Sequence, residues 1–272
     1  MISPANPRSI DPLSPAVGAN SLVDLSRWRL VWSDEFDGPV IDPAKWSFEV
    51  NAWGGGNNEL QYYTDRPENA FIEDGRLHLV ARREEFTGPE GTRAYTSARI
   101  RTLGKGDWKY GRFEIRAKLP SGQGLWPAIW MLPTDSPHGG WAAGGEIDIM
   151  ELVGHRPDEV LGTLHYGGAW PRNVHSGETW RLPAGEGTFA DDFHVFAIEW
   201  GSREIRWFID GRHVQTQRVW HTESAPYPAP FDHKFHLLLN VAVGGGLPGN
   251  PDESTVFPQE MVVDYVRVYQ PV

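Results

Sequence analysis

Residues 144–154 read GGEIDIMELVG and set three acids, Glu146, Asp148 and Glu151, among apolar neighbours. Glu146 and Asp148 alternate with Ile147 and Ile149, the period of two that sends successive strand side chains to opposite faces. Alternation then fails: continued literally, it puts Met150 on the acid face and Glu151 in the core. One inserted residue repairs both series. The acids are spaced two then three, and Ile147, Ile149 and Leu152 are spaced the same way. The spacing predicts a β-bulge at Ile149–Met150 that returns Glu151 to the face of the other acids.

Outward from this segment the same texture recurs. RLHLVARR (76–83) puts Leu77, Leu79 and Ala81 on one face. YGRFEIRAKLP (110–120) puts Phe113, Ile115 and Ala117 on one face and Arg112, Glu114, Arg116 and Lys118 on the other. FHVFAIEW (193–200), EIRWFIDG (204–211), KFHLLLNVAVGG (234–245) and MVVDYVRVY (261–269) behave likewise. IDGR (209–212) carries the Asp-Gly pair of a tight hairpin. With 30 Gly and 22 Pro, and no convincing long amphipathic helix, the chain reads as many short strands joined by turns. The fold class is all-β, a jelly-roll sandwich of two packed sheets. Pro4, Pro7, Pro12 and Pro15 make residues 1–27 an extended or irregular segment. Residues 28–272 read as one domain, because no linker or repeat divides them.

The 272 residues carry 25 Lys and Arg against 36 Asp and Glu, a net charge of −11. Such a surface repels nucleic acid, anionic membranes and polyanionic polysaccharides. No apolar run approaches the ~18 residues of a membrane span. The absence of cysteine rules out disulfides and thiol catalysis. Trp, at 13, outnumbers both Phe and Tyr, which points to a core or a surface built on indole rings. The N-terminal stretch lacks the positive-then-apolar order of a secretory signal. The expectation is nevertheless a secreted, extracellular protein whose signal peptide lies outside this sequence; a cytoplasmic protein with a loose tail is the alternative.

Three acids on one strand, with no base among them, suit proton-transfer chemistry. Across the bulge Glu146 and Glu151 lie roughly 13 Å apart at Cα by strand rise. Side chains leaning together can close toward the ~5–5.5 Å carboxyl separation of a retaining glycosidase. Mutual repulsion is expected to raise one pKa, giving a proton donor beside an ionised nucleophile. A calcium site, or a solvated strand face, is the competing reading of the same row.

GEIDIMELVG resembles the signature of glycoside hydrolase family sixteen, in the form with a Met before the second Glu. VWSDEFDG (31–38), NNELQYYTD (57–65), YGRFEIRAKLP (110–120), LWPAIWMLP (125–133), LGTLHYGG (161–168) and LLLNVAVGG (237–245) resemble its laminarinase branch, over roughly residues 28–270. The resemblance implies two curved antiparallel sheets with a substrate cleft on the concave face. It implies retaining endo-hydrolysis of β-1,3-glucan by Glu146 as nucleophile and Glu151 as acid/base, with Asp148 assisting. Mixed-linkage lichenases resemble EIDIE, without the inserted Met. Mixed-linkage β-1,3-1,4-glucan or a galactan as substrate, and a non-catalytic β-glucan-binding protein, are the alternatives. The expected partner is a β-glucan polysaccharide, met by a monomer that needs no catalytic cofactor.

The same resemblance supplies the other candidates. Trp126 and Trp130, spaced by four, share a strand face and can stack on sugar rings, with core packing as the alternative. His165 in TLHYGG matches a histidine beside the acid/base, where it bonds the leaving sugar or tunes Glu151; a structural histidine is the other reading. Arg99 and Asn57 match glucan-contacting positions, against a surface ion pair for the one and turn chemistry for the other. Trp53 and Trp170 are candidate cleft rims. A structural calcium is expected on Glu35, the Gly75 carbonyl and Asp264, on the side away from the cleft; hydrogen-bonded acids at strand ends are the alternative. The histidines show no HExxH or similar spacing, so no zinc is expected.

Overall fold

The computed structural model describes residues 25–272. Most of the expected irregular N-terminal segment therefore lies outside the described residues; Leu25–Arg27 forms one 3₁₀ turn leading into the first strand, Trp28–Asp34. The described residues build two sheets, of ten and eight strands. In the larger, the order runs Arg212–Gln217, Ile205–Ile209, His194–Trp200, Gly111–Lys118, Gln259–Pro271, Arg76–Gly88, Gly91–Ser97, Gln61–Tyr63. In the smaller it runs Asn173–Arg181, Glu159–Gly167, Glu146–Glu151, Leu125–Pro133, Phe235–Val243, Arg99–Arg101, Ser47–Phe48. Pairing is antiparallel except between Gln61–Tyr63 and Gly91–Ser97, which run parallel. No helix among the described residues is long and apolar enough to cross a membrane.

Period-two patterning accounts for the core. Leu77, Leu79, Ala81, Phe113, Ile115 and Ala117 from one sheet join Ile129, Met131, Ile147, Leu239 and Val241 from the other in one buried cluster. The expected hairpin forms, with Asp210 and Gly211 both at positive φ. Phe235–Val243 departs from the simple pattern, because all nine of its residues are buried. Leu237, Leu239, Val241 and Val243 enter the core, while Leu238, Asn240 and Ala242 are covered on the opposite face.

The predicted bulge is present. Asp148 pairs with Thr163 and Glu151 with Leu161, so three steps on one strand match two on its neighbour. On the other side Ile129 faces Met150 and Trp130 faces Asp148, skipping Ile149. Ile149 and Met150 both pack into the core. A second bulge, which sequence reading did not single out, falls at Asp264 in the last strand, between Val263 and Tyr265.

Candidate active site

The acid row lies on the outer face of the smaller sheet, between the strand bearing His165 and the strand bearing both tryptophans. Trp126 Nε1 donates to Glu151 Oε1 at 3.0 Å. Trp141 Nε1 donates to Glu146 Oε2 at 2.8 Å. Asp148, 2% exposed, sits between the two glutamates. Its backbone carbonyl accepts from Trp207 Nε1 at 2.9 Å, which fixes the strand beneath it.

His165 stands opposite Glu146 in register, with Nε2 3.2 Å from Asp148 Oδ2 and 3.7 Å from Glu146 Oε1. This corrects the expectation of a histidine beside Glu151. The bulge puts Glu151 against Leu161, four residues from His165, so the ring reaches Glu151 only through its longer-range charge.

Burial pushes Glu146, Asp148 and Glu151 each up to about 8. Repulsion from Asp148 adds to the rise at both glutamates, while His165 and the tryptophan N–H groups oppose it. Charge repulsion, the cause expected from sequence, is thus second to desolvation.

Trp130 shares the face of the acids, as expected, and its Nε1 donates to Asn240 Oδ1 at 2.7 Å. Arg99 is buried rather than presented to a ligand. Its guanidinium stacks on Tyr63 and Trp130 and lies 3.4 Å from Glu49 and 3.7 Å from Glu59. Neither a surface ion pair nor a free donor describes it; it braces the Trp130 ring from below. Asn57 is exposed and closes the turn after Gly54–Gly56, donating to Glu59 Oε1 at 3.3 Å. Its carbonyl accepts the Gly246 N–H, which sets this loop against the end of the strand neighbouring Trp126.

Exposed indoles flank the acid row: Trp53 (61% exposed) on the Asn57 loop, and Trp141 (43%) and Trp170 (73%) beyond Glu146. The Trp170 backbone N–H donates to the Trp141 carbonyl, which ties these two segments to each other.

Sequence reading missed Trp141, Asn240 and Glu59. Asn240 carried a signal, since it is the one polar residue in LLLNVAV. Glu59, 5% exposed, accepts from Gln61 and Tyr63 beneath the loop. A Cβ on Gly55 would collide with its carboxyl, and Gly55 also sits at φ 60°, so this turn requires glycine.

The calcium donors do not fit an ion as they are placed. Glu35 is held bidentately by Arg267 at 2.9 and 3.0 Å. Asp264 is taken by Arg116 at 2.7 Å and approached by Arg76 at 3.6 Å. Gly75 lies at positive φ in the turn before Arg76. Two groups of side chains that could hold a metal do occur among the described residues, Glu146–Asp148–His165 and His138–Asp232–His233.

The sequence model of glycosyl hydrolases family 16 matches residues 32–266. The chain belongs to glycosyl hydrolase family 16. This family 16 hydrolase is 49% identical over 253 residues to the beta-glucanase of Rhodothermus marinus, covering 89% of the chain and 85% of that protein. It is 42% identical to the glucan endo-1,3-beta-glucosidase A1 of Niallia circulans, covering 94% of the chain but spanning only 40% of that longer protein. Its fold superimposes on the laminarinase catalytic domain of Thermotoga maritima with a TM-score of 0.82 at 46% identity, covering 90% of this chain and 99% of that one.

Proposed function

We infer that the protein is a retaining endo-β-1,3-glucanase, acting outside the cell as a monomer, with Glu146 as nucleophile and Glu151 as acid/base. The observation that carries this reading is the bulge at Ile149–Met150. It keeps two glutamates on one face, each oriented by its own indole N–H, with a buried acid between them. The similarity to enzymes named for 1,3-glucan supports the substrate class. Exposed tryptophans on both sides of the acids suit a long neutral chain lying across the face, which supports internal cleavage. A polymeric substrate supports the extracellular setting. Calcium has no part in this reading, because Glu35 and Asp264 already hold arginines.

The steps need one glutamate protonated and the other ionised. Burial keeps a proton on Glu151 near neutrality, so it can protonate the glycosidic oxygen as that bond breaks. Glu146 reacts as its anion: burial raises its pKa as it does that of Glu151, the Trp141 N–H and His165 oppose that rise, and once ionised it attacks the anomeric carbon and forms a glycosyl ester. Glu151, now anionic, takes a proton from water as that water attacks the same carbon. The ester breaks, Glu146 leaves as carboxylate, and two inversions give net retention. Asp148, buried and paired with no arginine or lysine among the described residues, raises the proton affinity of both partners.

The test is a product profile on laminarin, barley mixed-linkage glucan and agarose, with the first-formed anomer followed by proton NMR. Laminarin as preferred substrate, with retained configuration and mixed oligosaccharides, is expected. Inversion overturns the assignment of Glu146, and turnover on agarose alone overturns the substrate.

A further inference from the structure

We propose that His138, Asp232 and His233 form a binding site for a divalent transition-metal ion of the zinc class, separate from the catalytic row. The two segments meet because the strands Leu125–Pro133 and Phe235–Val243 pair, with Pro133 opposite Phe235. The Thr134 N–H continues the ladder by donating to the Lys234 carbonyl at 2.8 Å. The residues just beyond this pairing then converge. His138 Nε2 lies 2.7 Å and His233 Nδ1 3.5 Å from Asp232 Oδ1, and the three ligand atoms fall within 4.8 Å of one another.

Two imidazoles and one carboxylate are a donor set that suits zinc-class ions. Donors about 2.0–2.2 Å from a tetrahedral ion stand roughly 3.4 Å apart, so the 3.5 Å pair is already spaced for an ion and the 2.7 Å pair needs to open slightly. A second observation points the same way. Both ring nitrogens of His233 are enclosed and neither has a hydrogen-bond partner. A buried polar atom left in that state costs free energy, and a metal bond would relieve it. The Asp232 side chain, 29% exposed, leaves the centre open to solvent for a water as fourth ligand.

The absence of a metal-binding spacing in the sequence does not reach this site, because its donors come from segments almost a hundred residues apart that pairing of two strands brings together. Its position links it to the acids. His138 lies three residues before Trp141, whose N–H holds Glu146, and the Ser224 hydroxyl anchors the His138 carbonyl at 2.8 Å. An ion here would pin the 134–144 segment to the 229–236 segment.

The experiment titrates chelator-stripped full-length protein with Co²⁺ and follows visible d–d absorption, then repeats it with Zn²⁺ and follows the melting temperature. Expected is one equivalent of Co²⁺ with bands displaced by Zn²⁺, and a melting temperature that rises by several degrees with Zn²⁺ in excess. Both signals should vanish in His138→Gln and in His233→Ala, and persist in Glu146→Gln. His138→Gln carries the test alone if His233→Ala does not fold, because the glutamine amide can still donate to Asp232. The proposal is overturned if the wild type gives no bands, if both histidine variants keep them, or if Glu146→Gln alone removes them, which would put the ion at the catalytic row.

Discussion

The outer face of the larger sheet and the acid row of the smaller sheet treat buried acid in opposite ways. On the larger sheet Glu114 and Glu199 flank Arg112, which is 1% exposed, and Arg206 completes the row with a 2.6 Å contact to Glu199. Arg267 and Arg116 neutralise Glu35 and Asp264 there as well. On the smaller sheet Glu146, Asp148 and Glu151 are as deeply buried, and among the described residues no arginine or lysine pairs with them. Among those residues His165 and the indole N–H groups of Trp126 and Trp141 reach the carboxyls. Both faces contain a bulge that places an acid, at Asp264 in one and before Glu151 in the other. The difference is the compensating cation. Where it is present the acids hold the fold together; where it is missing they keep protons that chemistry can use.

The largest expected effect breaks this contrast by exchanging one acid from each face. Glu146→Gln and Glu151→Gln should fold and lose turnover by about 10²–10⁴-fold. Azide should restore turnover to Glu151→Gln with retained product, and give the opposite anomer with Glu146→Gln, as read by NMR. Glu114→Gln should leave kcat unchanged and instead cost about 3 kcal/mol of stability, because it removes the nearer of the two carboxylates that compensate a buried guanidinium. Equal loss of turnover in all three would erase the distinction between the faces.

The next effect is on stability against pH. The three carboxyls of the acid row rise from 3.8 or 4.5 to about 8 on folding. Between those values the folded state binds protons that the unfolded chain has released, so stability falls as pH climbs from about 4.5 to 8. Asp148→Asn should therefore raise the melting temperature at pH 8 and change it little at pH 4, by roughly 2–4 °C for each kcal/mol relieved. A melting temperature lowered at pH 8 would mean that Asp148 is stabilised as an anion.

Smaller again is the tuning by a single N–H. Trp126→Phe keeps the ring and removes the donor that favours the Glu151 anion. The alkaline limb of kcat should move up by about one unit. A limb that stays put would detach Trp126 from the acid/base.

The smallest expected effect is from chelator. With Glu35 and Asp264 satisfied by guanidinium groups, a calcium-selective chelator should leave both the melting temperature and turnover unchanged. A drop of several degrees, abolished in Asp264→Ala, would restore the calcium site on this face.

The sequence by itself determined the strands, the bulge and the row of acids on which the proposed chemistry rests. Period-two spacing is a local property, and a skip shared by Glu146, Asp148, Glu151 and by Ile147, Ile149, Leu152 has one simple geometric solution. The resemblance carried by GEIDIMELVG supplied the roles. Tertiary structure alone decided which groups surround the row. Trp141 arrives at Glu146 from a Gly-rich segment with no periodicity to read, and His165 faces Glu146 rather than Glu151 because of cross-strand register. Arg99, indistinguishable in sequence from a surface donor, is buried by Tyr63 and Trp130 from separate strands. The arginines on Glu35 and Asp264, and the meeting of His138 with His233, likewise depend on strand pairings between residues far apart in the chain. Spacing specifies which face a side chain occupies; only packing specifies what it meets there.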